Sequence, residues 1–177
     1  MDQMLRGRGS RAVSFEIVTH PTLGLPPRSL HAGYPDGAAR LRANRARLAA
    51  RALEVAVDED PTLRTRHDDA ALRNLLLDAE VFVDRLALCV AGNDPNGLRA
   101  FADQTATVYR RRLVPMDDVV RLLEAMRAGA RGVLSADEMV PAEAAIDEAI
   151  AVFRWYRRLA GDARKRNRIL AALYRGA

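Results

Sequence analysis

The chain has 177 residues, of which 49% are hydrophobic and only 5% are aromatic. This length corresponds to about one domain, and the apolar fraction is sufficient for a folded core. The shortage of aromatic side chains argues against a β-sandwich or a β-barrel, whose strands are rich in aromatic and β-branched residues. No apolar run approaches the roughly 20 residues that a membrane-spanning helix needs. We therefore expect a soluble protein.

Charge is distributed unevenly along the chain. The formal net charge is +5, and all but one of the 28 basic residues are arginine. Residues 116–150 contain three basic and eight acidic side chains, whereas residues 151–177 contain eight basic and one acidic. A basic segment of this kind is typical of a surface that binds an acidic partner or a phosphate backbone. Alternatively, it complements the acidic segment of the same molecule.

The single cysteine, Cys89, lies in an apolar helical pattern and is expected to be a small buried side chain. One cysteine precludes an intrachain disulfide, which fits a reducing compartment. The basic residues near the N-terminus are not followed by the apolar segment of a signal peptide. These features predict a cytoplasmic protein.

Residues 1–35 are rich in glycine and proline, which interrupt helices. Val13, Phe15 and Ile17 alternate with polar residues as in a half-buried strand, but the chain offers no partner strand. We therefore predict an extended tail over residues 1–35, which is flexible or lies on another surface such as a second subunit. Residues 36–177 are predicted to form a single helical domain.

Apolar periodicity predicts the first helices of that domain. Asp36 is expected to cap a helix that runs to about Val57. A short helical turn then follows Asp60 and ends at Arg66. The clearest helix spans Asp69 to Ala91, where the apolar stripe continues over six turns. We expect this helix to be the central one and Gly92 to end it.

The second half of the chain continues the helical pattern. Asp94 and Pro95 start a helix whose apolar face is predicted to contain Leu98, Phe101, Thr105, Val108 and Arg112. The next helix is predicted from Met116 to Val133, and Ser135 to Glu138 fits a capping box that opens the last helix. That helix either ends at Gly161 or continues through it. The pattern predicts an all-α fold, either globin-like or an antiparallel bundle of about six or seven helices with an extended N-terminal tail.

Motifs for catalysis and cofactor binding are missing from the sequence. It contains no phosphate-binding loop, dinucleotide fingerprint, hydrolase nucleophile elbow or zinc-protease motif. None of the histidines, His20, His31 and His67, has metal-ligand spacing or lies in a predicted helix as a haem ligand does. We expect His67, next to Asp68 and Asp69, to be a solvated cap residue of the central helix. No cofactor and no enzymatic activity are predicted.

Carboxylates on the predicted helices also lack the pattern of a metal site. Glu138, Glu143, Asp147 and Glu148 are not accompanied by the Glu-x-x-His motifs of di-iron bundles. They are predicted to form a solvated acidic face. On the central helix, Glu80 and Asp84 are four residues apart and would repel each other unless an arginine lies between them.

The stretch from about residue 60 to residue 126 carries a series of helix caps and core positions. They read Asp60-Pro61-x-Leu63, Leu72-Arg73-x-Leu75, Asp78-Ala79-Glu80-x-Phe82, Ala91-Gly92-Asn93-Asp94-Pro95 and Val114-Pro115-Met116-Asp117-Asp118-Val119. This series resembles the helical, non-haem, globin-like N-terminal sensor domains of stressosome scaffold proteins and of purine-catabolism-type transcription regulators. The resemblance implies a haem-free module that dimerises and passes signals to an attached output domain. We expect neither a phosphorylatable regulatory domain nor a helix-turn-helix among these 177 residues. The sequence also lacks the Glu-His pair of the related modules that precede cobalamin domains, so cobalamin binding is not implied.

These observations predict a non-catalytic regulatory, sensor or interaction module that forms a homodimer. We expect it to engage a protein partner through its C-terminal basic helix. The predicted contact residues are Arg154, Trp155, Arg158, Arg164, Arg166 and Arg168. One alternative is a nucleic-acid-associated protein that uses this helix and the N-terminal tail. Another is a structural subunit of a larger assembly, with residues 1–35 lying over a neighbour.

Overall fold

The structure is a computed structural model that describes residues 33–166, with side chains up to residue 159. Within this range the chain forms seven helices and no strand, which confirms the all-α prediction. The helices are α1 (Pro35–Ala43), α2 (Arg45–Glu59), α3 (Leu63–Arg66), α4 (Asp69–Gly92), α5 (Asn96–Arg111), α6 (Met116–Ala130) and α7 (Ala136–Arg166). The tail predicted for residues 1–35 lies outside the described residues, apart from its last three positions. None of the helices in this part of the chain has the length and hydropathy needed to cross a membrane.

Helix α4 is the central helix, as the sequence predicts, and packs against α1, α2, α5 and α7. Its buried face contains the apolar residues at the predicted spacing, which are Leu75, Ala79, Phe82, Val83, Leu86, Cys89 and Val90. The ring of Phe82 meets Phe101 of α5 at 5.1 Å and Phe153 of α7 at 6.1 Å between centroids. These contacts fasten α5 and α7 to α4, which places the two helices side by side.

The ends of α4 follow local rules, with one correction at the C-terminus. The Asp68 carboxylate caps the N-terminus by accepting the Ala71 N–H at 2.7 Å. The helix does end at Gly92, one residue beyond the predicted Ala91, but the C-cap is Asn93 and not the glycine. Asn93 adopts the left-handed conformation at φ 48°. Asparagine tolerates this conformation better than most residues, so it takes the place usually held by glycine.

The predicted helix from Asp36 to Val57 is divided into α1 and α2 at Asn44. The ψ angle of Asn44 is 9°, outside the helical range, and its side-chain amide donates to the Arg40 carbonyl at 2.8 Å. This bend lets α1 pack on α4 while α2 packs on both α4 and α6. The predicted cap at Asp36 was also wrong, because α1 begins at Pro35 and Asp36 lies in its first turn.

The predicted apolar face of α5 was only partly correct. Leu98 is buried, but Phe101 and Thr105 are half-buried and Val108 is exposed. The remaining buried positions are Ala102, Ala106 and Tyr109. Alanine is small and tyrosine carries a polar hydroxyl, so these residues contribute little to the apolar pattern. The predicted face is therefore rotated about the helix axis relative to the face that is buried.

The last two helices differ from prediction mainly at their ends. Helix α6 ends at Ala130 and not at Val133, and α7 continues through Gly161 to Arg166. At the start of α7, the Glu138 carboxylate accepts the Ser135 N–H at 2.8 Å, as in the predicted capping box. Pro141 lies beyond the first turn of α7 and does not interrupt it.

The chain enters the helical body against the C-terminal end of α4. The Tyr34 N–H donates to the Val90 carbonyl at 2.9 Å. A Cβ atom at Gly33 would lie only 1.8 Å from the Ala91 carbonyl oxygen. This position therefore requires glycine, and the helical body includes the last residues of the predicted tail.

Replacement of Gly33 by alanine should destabilise the protein by about 1–2 kcal/mol, because the methyl group cannot share space with backbone. Gly92→Ala is a suitable control, since a Cβ atom there meets nothing within 4 Å. That control should be neutral or up to about 1 kcal/mol more stable, since alanine favours the helix. Urea unfolding followed by circular dichroism measures both; equal stabilities of the two variants would contradict the close approach.

Candidate functional site

Two of the predicted contact residues lie in an open groove between α5 and α7. The groove has a volume of about 720 Å³. Its α5 wall consists of Asn96, Arg99, Ala100 and Asp103, and its α7 wall consists of Glu148, Ala151, Val152, Trp155 and Arg158. The alanines Ala100 and Ala151 have the shortest side chains of this set. They leave space between two helices that are otherwise in close contact.

Trp155 is the large apolar side chain of the groove. It is 50% exposed, although its ring is held edge-to-face against Tyr156 at 4.8 Å between centroids. The Tyr156 hydroxyl donates to the Asp103 carboxylate of α5 at 3.0 Å. Burial, and then this carboxylate, raise the pKa of Tyr156. The tyrosine therefore ties α7 to α5 and supports one side of the Trp155 ring.

The charges of the groove are partly paired with one another. The Arg99 guanidinium lies 3.6 Å from the Glu148 carboxylate, and Asp103 accepts the hydrogen bond from Tyr156. Arg158 is exposed and makes no ion pair with the side chains that the structure describes. It is therefore the groove residue available to pair with an incoming carboxylate.

The other predicted contact residues lie elsewhere. Arg154 faces α6, where it pairs with Glu124 at 2.9 Å. Its neighbour Arg157 pairs with Asp117 at 2.9 Å. These two pairs join the basic segment to the acidic one, as the alternative interpretation of the charge pattern predicts. Arg164 and Arg166 lie in the last turns of α7, beyond the described side chains, and Arg168 lies outside the described residues.

The prediction for His67 was wrong, because this residue is buried and not solvated. It is 8% exposed, and its Nε2 atom lies 2.8 Å from the Asp118 carboxylate of α6, which is 2% exposed. Arg66 donates to the same carboxylate at 2.7 Å. A polar network therefore joins α3 to α6 beneath the surface.

Asp60 completes this network on its outer side. Its carboxylate pairs with Arg66 at 2.9 Å and with Arg121 at 2.8 Å. Hydrogen bonds from Thr62, followed by those from Arg66, lower the pKa of Asp60 to about 2. The two arginines therefore bridge a half-buried carboxylate, Asp60, and a fully buried one, Asp118.

Acidic side chains on α4 and α7 are paired with arginines of α1 and α2. Glu138 is buried, and the prediction that it is solvated was wrong; it pairs with Arg40 of α1 as well as with the Ser135 N–H. The Ser135 N–H, and then Arg40, lower its pKa. Glu80 and Asp84 are each 3.1 Å from Arg45 of α2, which offsets their repulsion.

Metal-ligating side chains do not converge in the described part of the chain: residues 33–166 hold no group of three or more. No protein-family model matches the chain, and no curated protein matches it significantly.

Proposed function

We propose that the chain is a cytoplasmic, non-catalytic regulatory module that dimerises and binds a protein partner in the α5–α7 groove. The observation that carries this proposal is the exposed Trp155 beside Arg158, in a groove whose other charges are partly paired. Tryptophan and arginine are the residue types that most often dominate binding energy at protein interfaces. The resemblance to signal-transducing sensor domains is a second, weaker support.

The chemistry of the groove favours a peptide segment of particular composition. An apolar side chain of the partner would pack on the Trp155 ring, and a neighbouring carboxylate would reach Arg158. Nucleic acid fits this groove less well, because the carboxylates of Asp103 and Glu148 stand on its walls and repel phosphates. We therefore favour a peptide with a single carboxylate beside an apolar side chain over a phosphate backbone, whose negative charges repeat along its length.

A photocrosslinking amino acid at Ala151, on the groove wall, should capture the partner in cells that produce the full chain. The same amino acid at Ala128, on the exposed side of α6, provides a control for unspecific capture. Binding of the captured protein to purified variants then tests the groove. Trp155→Ala should raise Kd at least about tenfold, because an exposed aromatic anchor is lost.

A comparison of the variants Arg158→Gln and Arg154→Gln distinguishes a peptide bound in the groove from nucleic acid bound along the basic helix. Both variants remove one positive charge from α7, but only Arg158 lies in the groove. A groove-bound peptide predicts a Kd increase of about tenfold for Arg158→Gln and less than about twofold for Arg154→Gln. Equal effects of both, together with salt-dependent binding to an unrelated DNA duplex, would instead support the nucleic-acid alternative and contradict the groove proposal.

Self-association is proposed to use the outer face of α4. Leu77, Val81 and Leu88 are 60%, 40% and 50% exposed, and their spacing places them on one side of this helix. In an antiparallel pair with a two-fold axis near residue 79, Leu77 lies opposite Val81 of the second copy. Arg73 then lies on the same flank as Asp84 of the second copy. Apolar and charged positions are both complementary in this register, so a second copy of the chain is the proposed occupant.

The double variant Leu77→Glu, Leu88→Glu should convert the dimer into a monomer, because two exposed apolar side chains of the proposed interface become charged. Val140→Glu is the control, since Val140 is 68% exposed on α7 and lies outside this face. Sedimentation equilibrium gives the mass of each protein. A dimer that persists in the double variant would exclude this face, and a monomeric unmodified chain would refute self-association itself.

A further inference from the structure

A second cleft lies apart from the α5–α7 groove, between the start of α4 and the segment that follows α5. Its volume is about 410 Å³, within the range of small-molecule sites in proteins. The buried side chains of Leu75 and Val114 provide apolar lining, and Ala71 leaves room beside them. The polar lining consists of His67, Asp68, Asn74, Asp78 and Arg112, and the Asp68 carboxylate among them already accepts the Ala71 N–H. The cleft therefore combines an apolar surface with a few converging polar groups.

Asp78 and Arg112 line this cleft as a widely spaced ion pair. The Arg112 guanidinium lies 3.8 Å from the Asp78 carboxylate, longer than a direct hydrogen bond. Asp78 is partly buried, and this burial raises its pKa. A cation and an anion held apart in this way each retain capacity for another partner.

Tyr109 adds a buried hydroxyl next to this pair. The hydroxyl makes no hydrogen bond of normal geometry within the described residues, and the acceptor beside it is the Asp78 carboxylate. Burial, followed by the charge of Asp78, raises the pKa of Tyr109, so the hydroxyl keeps its proton. The Asp78 carboxylate thus has a neutral donor, Tyr109, beside it and the Arg112 guanidinium at 3.8 Å, and a bound positive group would add a closer charged partner.

His67 is held rigidly at the edge of the cleft. Its Nε2 atom lies 2.8 Å from the buried carboxylate of Asp118. This contact fixes the orientation of the imidazole ring. The other nitrogen of the ring, Nδ1, can act as a donor or an acceptor, depending on the tautomer. The buried network that joins α3 to α6 therefore also shapes this cleft.

We propose that the cleft binds a small zwitterion of the α-amino acid class with an aliphatic side chain. The ligand carboxylate pairs with Arg112, the ligand ammonium pairs with Asp78, and the aliphatic part packs on Leu75 and Val114. Only a ligand with both charges satisfies both residues, because a simple anion would meet Asp78 and a simple cation would meet Arg112. The proposal does not depend on the groove or on dimerisation.

Titration of the full chain with alanine, valine and leucine, followed by NMR chemical shifts, tests the site. Leucine should bind at millimolar concentration or below. Two matched analogues each lack one charge: 4-methylpentanoate has no ammonium group and 3-methylbutylamine has no carboxylate. Each should bind at least about tenfold more weakly than leucine, because a charge-assisted hydrogen bond is lost.

Two substitutions should each abolish the preference for leucine over one of the two analogues. Asp78→Asn should weaken leucine binding about tenfold and spare 4-methylpentanoate, whereas Arg112→Gln should weaken leucine and spare 3-methylbutylamine. Arg111→Gln removes a neighbouring charge outside the cleft and should change nothing. Thermal unfolding confirms that each variant is folded. Absence of shifts with all three amino acids at about 10 mM, or unchanged leucine affinity in Asp78→Asn, would overturn the proposal.

Discussion

Replacement of Phe82 by alanine is expected to lower the free energy of unfolding by about 3–5 kcal/mol. Phe82 is completely buried, and its ring touches Phe101 at 5.1 Å and Phe153 at 6.1 Å between centroids. Alanine would leave a cavity at the point where α4, α5 and α7 meet. The two edge-to-face ring contacts would also be lost, each contributing about 0.5–1.5 kcal/mol.

Urea unfolding, followed by circular dichroism of the helices, measures this loss by linear extrapolation. Val140→Ala is the matched control, because it also shortens an apolar helical side chain but at a position that is 68% exposed. The control should change stability by less than about 0.5 kcal/mol. A loss below about 1.5 kcal/mol in Phe82→Ala would mean that the three helices do not depend on this ring.

The fold was predictable where apolar residues recur at helical spacing. The stripe of α4 contains leucine, valine and phenylalanine, and it identified both the helix and its buried face. The buried face of α5 was harder to predict because Ala102 and Ala106 are small and Tyr109 has a polar end. The division at Asn44 depends on how α1 and α2 pack against other helices, which local periodicity does not record.

The candidate site was predictable on one side only. Charge and aromatic content identified Trp155 and Arg158 on α7, but nothing local indicates that Arg99 and Asp103 of α5 face them. The pairing of Arg154 with Glu124 was foreseeable from the opposite charges of the two segments, although not residue by residue. Helical pattern identifies the elements, whereas the opposite wall of a groove depends on tertiary packing.

The error at His67 has a related cause. The neighbours Asp68 and Asp69 are typical of a solvated helix start, and the residue that caps the helix is Asp68 and not His67. The residue that buries His67 is Asp118, which is 51 positions away along the chain. A signal was present in the sequence, because Asp118 is an acidic residue in the first turn of a largely apolar helix. That position is also explained by the helix dipole, so the pairing could not be singled out.

Replacement of Asp118 by alanine should destabilise the protein by about 2–4 kcal/mol, through the loss of a buried polar network. Its carboxylate accepts hydrogen bonds from Arg66 at 2.7 Å and from Arg121 at 3.4 Å. The same carboxylate lies 2.8 Å from the Nε2 atom of His67. The arginines are about one-third exposed and keep Asp60 as a partner. Water can therefore reach both arginines in the Asp118→Ala variant. The expected loss of unfolding free energy is smaller than it would be for a fully buried ion pair.

The neighbouring residue provides a sharp control for this prediction. Asp117 also lies in the first turn of α6, but its side chain is 41% exposed and pairs with an exposed Arg157. Asp117→Ala should cost less than about 1 kcal/mol, the combined effect of a surface ion pair and the helix dipole. Urea unfolding of both variants at neutral pH separates burial from helix-end electrostatics. If the two losses were equal, Asp118 would contribute only through its charge at the helix end, and the network would not hold α3 against α6.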